Sequence, residues 1–160
     1  MDWLTAGGAL SPAVSPAAQT GGKDGLAGGS YDAIRVYLWL GMADPETAGV
    51  QESIIGLAGM ANYMKKHPLP PRRVDGNGTV LEADGPVGFS AAVVPYLHAN
   101  NMKSEARAQL DRMVALKDPS SGLYGKDAMY YDQNLALFAG GWAEQRFQFD
   151  RDGRLKVKWR

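Results

Sequence analysis

Beyond position 30, apolar residues recur at three- and four-residue spacing along most of the chain, and strict alternation is confined to short stretches. A helix is predicted from about Tyr31 to Met42, with Ser30 at its N-cap position and Val36-Tyr37-Leu38-Trp39-Leu40 within it. The next is predicted to start at Asp44-Pro45-Glu46, which combines a capping acid, a proline at the first helical position and an acid in the first turn. It carries Val50, Ile54, Leu57, Ala61 and Met64, and stops at Lys65-Lys66 because His67-Pro68-Leu69-Pro70-Pro71 cannot continue it.

Three further helices follow from the same spacing. The first runs from about Val87 to Ala99, with Phe89, Val93, Tyr96 and Leu97 on its apolar face. The second runs from about Ser104 to Leu116, with Ala106, Leu110, Met113 and Val114. The third runs from about Ala128 to Glu144, with Tyr131, Leu135, Phe138 and Trp142. Period-two patterning marks a small hairpin around Asp75-Gly76-Asn77-Gly78, between Val74 and Val80-Leu81. It marks a terminal one at Phe147, Phe149, Asp152-Gly153, Leu155, Val157 and Trp159.

The expected class is therefore mainly α, with one or two small β-hairpins. Tyr37, Leu38, Trp39 and Leu40 leave no polar side on their helix, which predicts burial on both faces, as in the inner ring of a two-layered helical barrel. No repeated motif indicates a solenoid. Residues 1–30 are rich in Gly, Ala, Ser and Pro and read as a lead-in or loop, with the folded domain at 31–160. A structureless stretch of that length is unusual inside a compact domain. It implies a surface insertion in a larger fold, or a chain that begins partway through its domain.

Composition excludes more than it assigns. The 160 residues suit one domain or a piece of a larger one. With 17 acidic and 17 basic side chains there is no electrostatic case for nucleic acid or an anionic membrane. No apolar run approaches the roughly 18 residues of a membrane span, and the N-terminus lacks the basic and apolar regions of a signal peptide. His67 and His98 have no second ligand at metal spacing, so neither metal nor cofactor is expected.

The stretch with catalytic character is Ser30-Tyr31-Asp32-Ala33-Ile34-Arg35. Asp32 and Arg35 share one helix face, and the first turn favours negative charge. Both influences favour an ionised Asp32, the state a general base requires. The pair also fits a plain helix-start acid in a surface i,i+3 ion pair. Tyr31 fits a core ring as well as one that packs on a sugar. Tyr130 and Tyr131 open the last long helix, where either can contact substrate. Phe89 can line a cleft or pack at the start of its helix, and Trp39 and Trp142 read as core.

Ser30-Tyr31-Asp32-Ala33-Ile34-Arg35-Val36-Tyr37-Leu38-Trp39 resembles the catalytic-base segment of glycoside hydrolase family 8. The likeness is closest to the periplasmic endo-1,4-β-glucanases of bacterial cellulose-synthesis operons. It extends through Gly85-Pro86-Val87-Gly88-Phe89-Ser90-Ala91-Ala92 and Tyr130-Tyr131-Asp132-Gln133-Asn134-Leu135 to Gly141-Trp142 and Arg146-Phe147, with Asp2-Trp3 resembling a position upstream. The resemblance implies an (α/α)6 barrel and inverting hydrolysis of β-1,4-glucan, either cellulose or cello-oligosaccharide. Asp32 would be the general base, Arg35 the group that orients it, and Tyr31, Tyr130, Tyr131 and Phe89 substrate contacts. Periplasmic or secreted location follows from the same likeness.

The chain departs from that family in one respect. The family's general acid is a Glu in its N-terminal half, whereas the first Glu here is Glu46, after the base. The expectation is the C-terminal half of such a barrel, weak or inactive alone. An N-terminal half, or self-association, would then cover the exposed flank. The alternatives are a non-catalytic glucan-binding helical module and another helical-barrel carbohydrate enzyme, such as an epimerase or lyase.

Overall fold

The computed structural model describes residues 28–158. The segment before Gly28, with Asp2, Trp3 and Asp24, and the terminal Trp159 and Arg160 lie outside the described residues. The helices described are α1 (Tyr31–Met42), α2 (Val50–Gly56), α3 (Ala58–Met64), α4 (Val87–Ala99), α5 (Lys103–Ala115) and α6 (Tyr130–Ala143). Strands β1 (Gly28–Gly29), β2 (Arg73–Asp75) and β3 (Val80–Glu82) form a small antiparallel sheet in that order, and β4 (Phe147–Phe149) pairs with β5 (Leu155–Val157). No described helix is long and apolar enough to cross a membrane.

Helix α4 is the centre of the molecule. Every residue from Val87 to Leu97 is buried, because α1, α5 and α6 all pack around it. At one end Tyr31 of α1 meets Phe89 of α4 and Tyr131 of α6. At the other, Trp39 meets Phe138 and His98 meets Trp142. Helices α1, α4 and α6 therefore run parallel, and α2–α3 and α5 return the chain between them. Aromatic side chains of α1 and α6 meet across α4, so the parallel layer is curved.

The closest approach within the layer is at Gly41. A Cβ there would lie 2.1 Å from the Tyr96 nitrogen and 2.3 Å from the Pro95 carbonyl carbon. Pro95 has no N–H to donate, which leaves a helix interior lacking one rung where α1 presses against it. Nearby, Tyr37 and Tyr96 make an edge-to-face pair at 5.0 Å, and the Tyr96 hydroxyl donates to the Leu57 carbonyl at 2.7 Å. Burial pushes the Tyr96 phenol up to about 12.

Three local readings of the sequence need correction. The helix expected from Asp44 is instead a turn followed by two short helices. The Asp44 carboxylate accepts from the Glu46 N–H at 2.8 Å, and Gly49 at φ 81° is left-handed, so regular helix begins only at Val50. It breaks again at Leu57, whose carbonyl takes the Tyr96 hydroxyl. Ser30 does occupy the N-cap position of α1, but its hydroxyl donates to the Arg72 carbonyl at 2.8 Å and ties the helix to the strand region. On α5, Val114 is 72% exposed and Gln109 is buried in its stead, accepting from Ser90 at 2.7 Å and donating to the Pro68 carbonyl at 2.8 Å.

Both hairpin turns are closed by carboxylates. Asp75 accepts from the Asn77 and Thr79 amides, and Asp150 from those of Asp152 and Arg154. These donors hold both carboxyls below the ordinary carboxylate range, led by Thr79 for Asp75 and Arg154 for Asp150. Their contribution to stability is complete above the unfolded value and is lost as pH falls through the lowered ones.

Gly41→Ala is expected to destabilise the fold by about 1–3 kcal/mol or more, because backbone faces the new methyl and cannot swing aside. Urea unfolding measures this; an unchanged midpoint would show that α1 and α4 can separate at no cost.

Candidate functional site

The parallel layer brings the N-terminal ends of α1, α4 and α6 to one end of the molecule. Tyr31 lies edge-on to Phe89 at 5.1 Å and to Tyr131 at 5.4 Å, and the Tyr131 hydroxyl donates to the Tyr31 carbonyl. Edge-to-face pairs of this kind contribute about 0.5–1.5 kcal/mol each beyond the area they bury. Asp32 follows directly on this fixed peptide. Its Oδ1 accepts from Arg35 Nη2 at 2.8 Å, and both side chains are about half exposed. An exposed pair of that spacing adds only about 0.3–0.5 kcal/mol to stability. Its significance is chemical: a carboxylate held in one orientation on an accessible face.

The remaining expected residues differ in placement. Tyr31 is 39% exposed, so one side of its ring is available while the other is packed. Phe89, read as a possible substrate contact, is 1% exposed and stands behind Tyr31, where it supports that ring from the core. Tyr131 is half-buried and bonded to Tyr31. Tyr130 is 83% exposed, and the ring contacts of the cluster run through Tyr131. Trp39, read as core, is 42% exposed and pairs with Phe138 on the open face of α1 and α6. Cavities of about 400 and 430 Å³ flank the His98–Trp142 pair at the opposite end, and neither is lined by Asp32 or Arg35.

Sequence reasoning missed Asp132. It stands in the first turn of α6 and is 7% exposed, and its Oδ1 accepts from the Gly88 N–H at 3.2 Å. That N–H belongs to the first turn of α4, which has no intrahelical partner for it and no side-chain cap at Pro86. Asp132 thus caps one helix from another. Burial raises its carboxyl above the ordinary value, opposed by the Gly88 amide and the charge of Arg112. The only sequence signal was an acid in the first turn of an apolar helix. Gln133 beside it clamps the preceding loop, accepting from the Tyr124 N–H at 2.8 Å and donating to the Tyr124 carbonyl at 2.7 Å.

Known proteins similar to the chain are endoglucanases. Over 132 residues, 82% of its length, the chain is 39% identical to an endoglucanase of Xanthomonas axonopodis pv. citri (strain 306). It is 39% identical over 133 residues to an endoglucanase of Escherichia coli (strain K12), and 34% identical over 140 residues to one of Pseudomonas fluorescens (strain SBW25). These matches cover 33%, 33% and 35% of the three relatives, so the chain spans about a third of their length. The fold is similar to the crystal structure of endo-1,4-D-glucanase from Vibrio fischeri ES114, with a TM-score of 0.65 and 24% identity, covering 86% of this chain and 39% of that one. No protein-family model matches the chain.

The raised Asp132 carboxyl has a definite effect on stability. The folded protein holds that proton more tightly than the unfolded chain, so its contribution is complete below the unfolded value and is lost as pH rises through the raised folded one. Asp132→Asn is expected to remove that component, seen as the difference in unfolding midpoint between variant and wild type from about pH 3 to 7. A difference that does not change with pH would contradict it.

Proposed function

We propose that the chain is the base-bearing part of an inverting endo-β-1,4-glucanase of glycoside hydrolase family 8, forming the C-terminal half of an (α/α)6 barrel. One observation carries this reading. An accessible Asp32–Arg35 pair adjoins Tyr31 and Tyr131 in a chain 39% identical, over four-fifths of its length, to proteins named endoglucanase. The parallel layer of α1, α4 and α6 supports the barrel reading, since parallel neighbours joined by returning helices are what one half of such a ring requires.

In this mechanism water attacks the anomeric carbon while Asp32 takes its proton. Arg35 occupies Oδ1, which leaves Oδ2 to receive that proton. The glycosidic bond breaks as a second carboxylic acid protonates the departing oxygen from the opposite face of the sugar, about 6.5–9.5 Å from the base. Tyr31 and Tyr130 offer ring faces and hydroxyls to the glucan, and Tyr131, whose hydroxyl is held by the Tyr31 carbonyl, the exposed part of its ring. The acid comes from a further part of the barrel, beyond the third of its relatives' length that this chain spans. That part would also cover Trp39, Leu137 and Phe138, which are 42%, 69% and 41% exposed. Left uncovered, the same flank favours self-association. A periplasmic or secreted enzyme working beside cellulose synthesis belongs to the same proposal.

Alone, the chain is expected to hydrolyse soluble β-glucan at least about 10²–10⁴-fold more slowly than a complete relative, the usual contribution of a general acid. Co-expression with the preceding two-thirds of a relative is expected to restore turnover, and Asp32→Asn to abolish it. Anomeric NMR of the products should then show inversion. Full turnover by the chain alone would overturn the divided site, and glucan binding with no turnover after complementation would favour a non-catalytic module.

A further inference from the structure

Two charged side chains converge on the six residues that open α4, one from each of two neighbouring helices. From α6, Asp132 accepts the Gly88 N–H. From α5, Arg112 donates through Nη2 to the Gly85 carbonyl at 3.1 Å, and through Nη1 to the Pro86 carbonyl at 3.4 Å and the Ser90 hydroxyl at 2.5 Å. The Ser90 hydroxyl in turn donates a hydrogen bond to Gln109 Oε1, so Arg112 is braced within α5. Space enforces the arrangement as strongly as the bonds do. A Cβ at Gly88 would lie 2.4 Å from Asp132 Oδ1 and 2.9 Å from Asp132 Cα, so the two helix starts meet only because residue 88 has no side chain.

The residue after Gly88 is Phe89, and the residue before Asp132 is Tyr131. These are the two rings that enclose Tyr31, and Tyr131 also holds the Tyr31 carbonyl, one peptide from Asp32. We infer that Asp132, with Arg112 behind it, is a positioning residue for Asp32: it locks the first turns of α4 and α6 together, and the lock is transmitted through Phe89 and Tyr131 to the Tyr31–Asp32 peptide. The inference rests on Asp32 being the base. Asp132 touches neither water nor sugar in this scheme. A carboxylate that only stabilised the fold would gain nothing from this location, since a neutral side chain could fill it without the cost of burying charge. A carboxylate that must fix two helix ends gains a stronger, directional bond to a backbone N–H.

The test uses the full 160-residue chain and its ring-to-ring nuclear Overhauser effects among Tyr31, Phe89 and Tyr131, together with cellotetraose titration. Asp132→Ala is expected to abolish the Tyr31–Tyr131 contact and weaken binding by about tenfold, the scale of one lost charge-assisted hydrogen bond. Asp132→Asn keeps an acceptor for Gly88, though an uncharged and weaker one, and is expected to retain the ring contact with a smaller loss of affinity than Asp132→Ala. Val94→Ala, in the buried middle of α4, is expected to lower thermal stability without changing the ring contacts. If Asp132→Ala fails to fold, Arg112→Gln tests the other side of the clamp with the same expected loss. Unchanged ring contacts in the folded variants, or equal loss in Val94→Ala, would overturn the inference. If wild-type chain shows no cellotetraose binding, the glucan reading fails, while the ring contacts still decide whether Asp132 sets the Tyr31 peptide.

Discussion

The close approach of α1 and α4 at Gly41 is the constraint on which the rest of the structure depends. With no side chain at that point, the α1 backbone reaches Pro95 and Tyr96, and the two helices pack along their whole length in parallel. Parallel packing sets the direction of everything else. Each connection must carry the chain back the length of a helix, which is the work of α2–α3 and α5. It also delivers three helix N-termini to one end, where their unpaired N–H groups and aligned dipoles favour carboxylates. Asp32 and Asp132 are both found there, in the first turns of α1 and α6.

The two carboxylates divide two tasks that one group cannot perform together. A base must be accessible and have an oxygen free for water, and Asp32 meets both conditions at the cost of contributing little to stability. A group that fixes geometry must be buried and bonded, and Asp132 is both, at the cost of a raised carboxyl value. The aromatic cluster lies between them. In the proposed scheme it lets the buried residue set the position of the exposed one without the two carboxylates touching.

The helices were legible in the sequence because their spacing is carried by large apolar side chains; α1 and α4 lie where the pattern puts them. What was not legible is the result of contacts distant along the chain. Asp44-Pro45-Glu46 has every mark of a helix start, yet the left-handed Gly49 and the demand of Tyr96 for the Leu57 carbonyl reduce that stretch to a turn and two short helices. Gln109 reads as a solvent-facing residue until Ser90 and the Pro68 carbonyl are seen to bond it. The candidate site shows the same division. Asp32 and Arg35 are three residues apart and were found from sequence. Asp132 meets Gly88 across 44 residues, and Tyr131 meets Tyr31 across 100, separations over which no local pattern carries information.

The open face of the layer connects the fold to the proposed division of the site. Asp32, Arg35 and Trp39 lie at helical spacing on one side of α1, and Tyr130, Leu137 and Phe138 on one side of α6. The apolar part of this surface and the base are therefore continuous. A surface of exposed Trp, Phe and Leu is stable in water only when something covers it, and in the proposed barrel the remaining helices do so. Any element that packs against Trp39 and Phe138 is brought alongside the face from which Asp32 projects. In that proposal, completing the core and supplying the second carboxylate are one event, so assembly of the whole barrel would itself bring the acid to the base.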